Sequence, residues 1–388
     1  MNIKKITALL CAVVMVLSLA ACAGSGNDNT ENTKDTTTNT EGSEATTPVS
    51  GGEAELALIT DANSIDDRGF NQFSWEGLKQ YAEENGKTYT YYTPIDQSTQ
   101  SYLSAIEGAV NNGAKLVVTP GFLFGEAIYK AQTMYPDVHF VLVDATPTLD
   151  DDTVIADNTC SIFFAEEQSG FLAGYAAVKE GYRKLGFFGA LAVPAVVRFG
   201  YGFVDGAEYA AKELGLEAGS IEMKYTYTGA FGNSPDFQAK AAAWYQSGTE
   251  CIFGCGGPDN VFAATGGDCV SIGVDTDMSQ ITETCLTSAM KMLTPAVYGA
   301  IKAYYNDTFP GGTSETLTIN EDAVGLPMES SRFKNFTQAD YDAIVEVLKA
   351  DKDGVTSGIR RDVDADGNTV TIEDVAATLQ YVTVQVVE

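Results

Sequence analysis

Carboxylates recur in this chain at the ends of apolar, strand-like runs. Asp61 follows Leu56-Ala57-Leu58-Ile59-Thr60, Asp144 closes Phe140-Val141-Leu142-Val143, and Asp275 closes Val270-Ser271-Ile272-Gly273-Val274. Phe231 follows a further such run, just before Gly232, and Phe70 stands at the mouth of the helix opened by the first acidic loop. An ionised carboxylate only accepts hydrogen bonds, so it suits hydroxyls and ring N–H groups. An aromatic ring suits the flat apolar face of a ligand. In open α/β folds ligands lie where strands end and helices begin. Together these residues describe the lining of a cleft for a polar small molecule. Each one alone reads equally well as a capping aspartate or a core phenylalanine. The repetition at four strand ends is what argues for a site.

Enzymatic chemistry finds little support. There is no Gly-x-Ser-x-Gly elbow, no P-loop and no His-Glu-x-x-His pair. Gly256-Gly257 follows a strand but lacks the rest of a phosphate loop, and the sole histidine, His139, lies in an apolar run away from any nucleophile pattern. Asp66-Asp67 has the composition for acid–base work, but loop acids or a cap on the following helix explain the pair more simply. No enzyme activity and no cofactor are expected. Asp362, Asp364, Asp366 and Glu373 fit the spacing of a calcium loop. Thr369 takes a position that is usually apolar there, and a β-hairpin tip at Asp366-Gly367 accounts for the stretch equally well. No metal is expected.

The elements that would position the cleft alternate. Strands are predicted at 56–60, 88–93, 115–119 and 139–144, with helices at 71–85, 98–111 and 125–134 between them. The strands are continuous apolar runs, as in parallel sheets covered on both faces. After Asp150-Asp151-Asp152 the pattern restarts, with helices at 166–180, 196–214 and 236–247 and strands at 184–190, 220–228, 250–255 and 270–274. Gly170, Ala173, Gly174 and Ala177 give one of these helices a small-residue side for close packing. Two α/β units of similar size predict two lobes of like construction. A final third, with a helix at 295–305, a strand at 317–319 and a helix at 338–349, is too small for a domain and is expected to complete both lobes.

Composition narrows the partners. The chain has 388 residues, 45% of them hydrophobic, and a formal charge of −30. Nothing in it would neutralise phosphates, so nucleic acid is not an expected partner. Lys4 and Lys5 precede an apolar run ending in Leu19-Ala20-Ala21-Cys22. This is similar to a bacterial lipobox: 1–21 reads as a signal peptide and Cys22 as the lipidated new N-terminus. Removing the leader takes the charge from −30 to −32. Residues 22–53 form a polar tether with almost nothing to bury. The mature chain is expected on the outer face of the cell membrane, held by lipid. Of seven cysteines, Cys160, Cys251, Cys255, Cys269 and Cys285 remain after the leader and Cys22, an odd number. Cys251 and Cys255 share one side of a strand and read as buried apolar groups.

The motifs now resemble a family. Thr60-Asp61, Ile65-Asp66-Asp67-Arg68-Gly69-Phe70-Asn71-Gln72 and Trp75-Glu76-Gly77 are similar to the opening signature of the basic membrane protein family. The resemblance continues through 136–144, 166–175, 198–203, 272–277 and 286–291, and covers roughly 54–305 with the motifs in order. These are substrate-binding lipoproteins of ABC transporters, related to purine-nucleoside receptors. The resemblance implies a type I periplasmic-binding-protein fold: two Rossmann-like lobes with parallel sheets, a hinge, and a ligand between them. The first lobe would hold 54–160 plus about 286–320, the second 161–285 plus about 321–388. It implies a nucleoside ligand, an ABC permease with its ATPase as partners, and a monomer. Asp61 and Asp144 match positions for the base edge, and Phe70 matches one stacking ring. Phe231 is the choice for the opposing ring, with Phe199 competing. Gly257, Asp275 and Lys291 match ribose-hydroxyl positions, although Lys291 also reads as a solvated helix lysine. The sequence departs from the pattern at Ala62, where purine receptors carry an amide, and at Pro258-Asp259. Its segment between Asp275 and Lys291 is also shorter. A sugar or signalling-molecule receptor of the same fold is the alternative.

Overall fold

The structure, a computed structural model, describes residues 53–61 and 64–387. The signal peptide, Cys22, most of the tether and Ala62 lie outside the described residues.

The first lobe begins as β1 (Leu56–Ile59), α1 (Phe70–Glu84), β2 (Tyr89–Tyr92), α2 (Thr99–Asn111), β3 (Leu116–Pro120), α3 (Gly125–Met134) and β4 (His139–Val143). A small hairpin of β5 (Thr148–Leu149) and β6 (Asp152–Thr153) leads into β7 (Thr159–Phe164). The chain then enters the second lobe: α4 (Glu166–Glu180), β8 (Lys184–Gly189), α5 (Pro194–Glu213), β9 (Ile221–Tyr227), α6 (Pro235–Gln246), β10 (Cys251–Cys255), α7 (Pro258–Ala264), β11 (Val270–Asp275) and β12 (Cys285–Lys291). It returns as α8 (Leu293–Tyr305) and β13 (Thr313–Leu317), then crosses again to β14 (Val324–Gly325), α9 (Gln338–Lys349), α10 (Ile372–Ala376) and β15 (Val382–Val386).

The first sheet runs β13-β7-β4-β3-β1-β2 and is wholly parallel. The second runs β14-β12-β11-β10-β8-β9-β15, with only β14 antiparallel. The strands of β1, β3 and β10 are buried along their whole length, which is why they read as continuous apolar runs.

Three connections link the sheets. β7 passes to α4 through Ala165, β12 passes to α8 through Met292, and β13 passes to β14 through 318–323. The crossings therefore fall later than the expected boundaries at 160 and 285, because β7 stays in the first sheet to Phe164 and β12 stays in the second to Lys291. Neither strand is evident from pattern: Thr-Cys-Ser-Ile-Phe-Phe and Cys-Leu-Thr-Ser-Ala-Met-Lys mix small polar residues into buried positions. The third strand is shifted as well. It occupies Thr313–Leu317 rather than 317–319, an exposed polar edge with weak β signal.

Between the second sheet and the crossings, α4 and α5 lie backbone against backbone. A Cβ on Gly170 would overlap the carbonyl of Phe199, and one on Gly174 that of Phe203. From the other helix, a Cβ on Gly202 would overlap the carbonyl of Glu167, and one on Gly206 that of Phe171. The expected small-residue side of α4 thus has its match on α5. This contact fixes where Glu166, the first residue of α4, stands relative to Arg198 and Phe199 on α5.

Alanine is favoured over glycine inside helices by about 1 kcal/mol. Gly206→Ala should nonetheless lower stability by about 1–3 kcal/mol through overpacking. Urea denaturation should show a lower midpoint with an unchanged slope.

Candidate functional site

β12 ends at Lys291, whose side chain is 2% exposed. Its Nζ lies 2.5 Å from Asp144 Oδ2, 3.0 Å from Glu166 Oε1 and 3.9 Å from Asp275 Oδ1. A fully buried ammonium is tolerated only when paired, and here three elements supply partners. Asp144 follows β4, Asp275 ends β11, and Glu166 opens α4, where a helix N-terminus favours an acid. Both aspartates adopt left-handed backbone, with φ of 59° and 65°. Asp tolerates this conformation better than most residues. The turn lets each strand end deliver its carboxylate into the junction between the lobes. Aromatic rings surround the same ammonium, with centroids of Phe70, Phe164 and Phe199 at 5.5, 5.7 and 5.5 Å.

The electrostatics follow from burial. Desolvation pushes the Asp144 carboxyl up; Lys291 opposes this, while Glu166 and Asp275 add to it, leaving a pKa of about 6. Burial raises Asp275 too, again against Lys291. For Lys291 burial disfavours the charged form, but Asp144, Glu166 and Asp275 outweigh it and hold the pKa above its ordinary value. Asp144 Oδ1 and both Glu166 oxygens are buried without hydrogen-bond partners. Glu166 meets its cations as ion pairs without hydrogen-bond alignment. Asp144 Oδ1 is therefore an acceptor positioned to take a donor from a bound molecule.

The first lobe holds Asp61 by a reciprocal pair with Asn71. Asn71 Nδ2 donates to Asp61 Oδ1 at 2.7 Å, and the Asp61 amide donates to Asn71 Oδ1 at 3.0 Å. Asn71 also donates to Asp67 at 2.8 Å. Asp67 in turn accepts from the amides of Gly69, Asn71 and Gln72 at 2.8, 3.1 and 3.1 Å; the N-cap position itself is Gly69, so Asp67 serves the first amides of α1 from two residues ahead of it instead of as the N-cap. Asp66 accepts from Ser64.

In the second lobe Phe231 is 45% exposed, and its ring meets that of Phe122, from the turn after β3, at 6.0 Å between centroids. Gly256, at φ 87°, gives this ring its place, since a Cβ there would overlap Ala190 and Phe231. Asn260 ties the Phe231 loop to Gly257: it accepts from the Ser234 amide at 2.9 Å and donates to the Gly232 and Gly257 carbonyls at 2.9 and 3.2 Å. Thr276 reaches across to the carbonyl of Arg68 at 3.4 Å.

The structure thus gathers Phe70, Asp144, Phe199, Asp275 and Lys291 into one cluster. Asp61 lies on the first-lobe wall, and Phe231 and Gly257 belong to one second-lobe loop system. Lys291 is a buried strand-end residue and not a solvated helix lysine. Phe199 is deep, edge-on to Phe253 at 5.9 Å and 88°. Sequence reasoning missed Glu166, Phe164, Asn71, Phe122 and Asn260. The one signal available was Glu166-Glu167 at a helix start in an otherwise apolar stretch.

The calcium-loop spacing is a hairpin. Val363 pairs with Thr369, Asp362 is engaged by Arg198 at 2.6 Å, and Asp364 accepts from the amides of Asp366 and Asn368. Glu373 lies in the first turn of α10. Among the described residues no group of three or more metal-binding side chains forms. Cys160, Cys251, Cys255 and Cys285 are buried free thiols, and Cys269 is half-buried and free.

Residues 54–355 match the model of the family described as Bmp, ABC transporter substrate-binding protein, PnrA-like. The chain belongs to the Bmp family. It is a transporter binding protein and not an enzyme. Its sequence is similar to the ABC transporter nucleoside-binding protein BmpA of Lactococcus lactis, 29% identical over 307 residues that cover 72% of this chain and 83% of that one. It is also similar to an uncharacterized lipoprotein of Pyrococcus horikoshii, 25% identical over 339 residues, with 80% of each chain covered. In fold it matches an ABC transporter solute-binding protein of Aeropyrum pernix. The TM-score is 0.66 at 24% identity, with 80% of this chain and 94% of that one covered. This likeness agrees with the type I fold seen in the two parallel sheets and their three crossings.

Lys291→Met should destabilise this Bmp protein by about 3–5 kcal/mol at neutral pH, because it leaves buried carboxylates unpaired. Asp144 and Asp275 already titrate above their ordinary values, so their protonated forms favour the fold at low pH; that contribution is lost as pH rises, for Asp144 through about 6. The deficit of the variant should therefore be larger at pH 7.5 than at pH 5, as read by urea denaturation at both.

Proposed function

We propose that the cleft captures a nucleoside, with a purine preferred, and presents it to an ABC permease and its ATPase. The observation that carries this reading is the acceptor–cation–acceptor set of Asp144, Lys291 and Asp275 beside the Phe70 ring. Ribose hydroxyls suit Lys291 and Asp275, an edge N–H of a base suits Asp144, and the planar face of the base suits the ring. The similarity to a relative described as nucleoside-binding supports the same ligand class. Asp61, held by Asn71, and the unpartnered Oδ1 of Asp144 are proposed for the base edge, and Gly257 for the sugar. The Phe122–Phe231 ring pair is proposed to close over the ligand. Cys22 is proposed as the lipid anchor on the outer face of the membrane, with the mature chain a monomer. No described helix is long and apolar enough to cross a membrane. A sugar can also lie against these rings, but a purine fills them better.

Isothermal calorimetry with guanosine, inosine, adenosine, cytidine and ribose tests the ligand class. Purine nucleosides should bind more tightly than cytidine or ribose. Binding of ribose or another free sugar with silence from every nucleoside would remove the nucleoside reading. Asp275→Ala and Phe70→Ala should each weaken binding by about 1–3 kcal/mol. Oδ2 of Asp144 faces the Lys291 ammonium, so a proton on the carboxyl falls on Oδ1, the oxygen proposed to accept from the ligand, and competes with binding there. With a free-protein pKa of about 6, affinity should fall about tenfold from pH 7 to pH 5. A flat profile over that range would remove the role assigned to Asp144.

A further inference from the structure

The family match ends at residue 355, but the fold does not. The remaining arm docks on the second lobe through named contacts. β15 adds a parallel strand beside β9. The carboxylate of Glu208 accepts from the amides of Gln380, Tyr381 and Val382 at 2.8, 2.9 and 2.8 Å, and Tyr201 Oη donates to the Val370 carbonyl at 2.9 Å. Arg360 pairs with the buried Asp205.

Two adjacent residues of this arm reach the start of α4. Arg361 Nε lies 3.5 Å from Glu167 Oε1. Asp362 Oδ1 accepts from Arg198 Nε at 2.6 Å, and Arg198 Nη1 lies 3.5 Å from Glu166 Oε2. The other oxygen of Glu166 faces Lys291 at 3.0 Å, and Lys291 donates to Asp144 at 2.5 Å. The result is an unbroken row of alternating charge from the arm into the cleft: Asp362, Arg198, Glu166, Lys291, Asp144.

Glu166 is the vulnerable member of the row. Its side chain is 1% exposed, and neither oxygen has a hydrogen bond. Among the described residues its ion-pair partners are Lys291 and Arg198. Opposite charges in a poorly solvated setting act strongly on one another. Asp362 takes up Arg198 through its Nε, and so sets how far the guanidinium leans on Glu166. Arg198 also precedes Phe199, whose ring faces the same ammonium. The arm thereby bears on one charged group and one ring of the cluster through Arg198.

We propose that Asp362 is a positioning residue for the cleft: through Arg198 it holds Glu166, and through Glu166 it sets the charge and placement of Lys291. The proposal rests on reading this cluster as the ligand site, but its first test needs no ligand. The groups facing Asp144 are Lys291, Glu166 and Asp275, so its carboxyl reports on the row. A carbon-13 NMR titration of Asp144 in the unliganded protein should move by about half a pH unit in opposite directions for two variants. Asp362→Asn frees the positive charge of Arg198 to act on Glu166, and Asp144 should titrate lower. Arg198→Gln removes that cation, and Asp144 should titrate higher. Mere loosening of the arm would admit water and move both variants downward.

Calorimetry then reads purine-nucleoside affinity. Asp362→Asn should weaken it about three- to thirtyfold, and should add little on a Glu166→Gln background. Circular dichroism confirms that each variant is folded. An Asp144 titration that is unchanged or lowered in Arg198→Gln overturns the proposal, as does an Asp362→Asn penalty of equal size with and without Glu166. If the wild type binds no nucleoside, the ligand reading fails and the titration still decides the role of Asp362.

Discussion

One buried ammonium sets the terms for the rest of this structure. Lys291 sits where the chain crosses between lobes, almost wholly out of water. An unpaired charge in that position would cost several kcal/mol. Its partners come from the first lobe (Asp144) and from the second (Asp275 and, just past a crossing, Glu166). The interaction that keeps Lys291 charged therefore also ties the two lobes together. The cluster proposed as the ligand site is already charged and only partly satisfied, since Asp144 retains a buried acceptor without a partner.

The fold supplies this arrangement through positions more than through special residues. Two parallel sheets place the carboxyl ends of β4 and β11 towards the crossings, and left-handed turns at Asp144 and Asp275 aim the carboxylates inward. The glycine-lined contact of α4 with α5 then sets Glu166 beside Arg198 and Phe199. Replacing any of these glycines changes the distance between two charged groups as well as the packing of two helices. Packing and electrostatics are coupled at this point in the molecule.

Much of this was legible in the sequence. Continuous apolar runs predict the buried parallel strands, and Asp61, Asp144 and Asp275 at their ends mark the candidate site. The resemblance in 54–305 pointed to Lys291, Phe70 and the two-lobed fold. The crossings were not legible. β7 and β12 carry serine, threonine and cysteine inside the protein, so their apolar pattern is broken, and apart from the resemblance Lys291 reads equally as a solvated helix lysine. Glu166 was hidden for a related reason: an acid at a helix start reads as a solvated first-turn residue, and only tertiary packing shows it to be buried. The calcium-like spacing at 362–373 shows the opposite failure. A regular pattern of acids there is explained by a hairpin turn and an ion pair to Arg198.

The central claim is that this lysine-centred cluster retains a nucleoside. Native mass spectrometry of the protein purified under gentle conditions tests it most directly, with Lys291→Met measured beside the wild type. The account predicts that the wild type carries a nucleoside, or takes one up from an added purine nucleoside mixture, and that the folded variant does not. A wild type that carries a free sugar instead, or a variant that retains nucleoside as well as the wild type does, would contradict it.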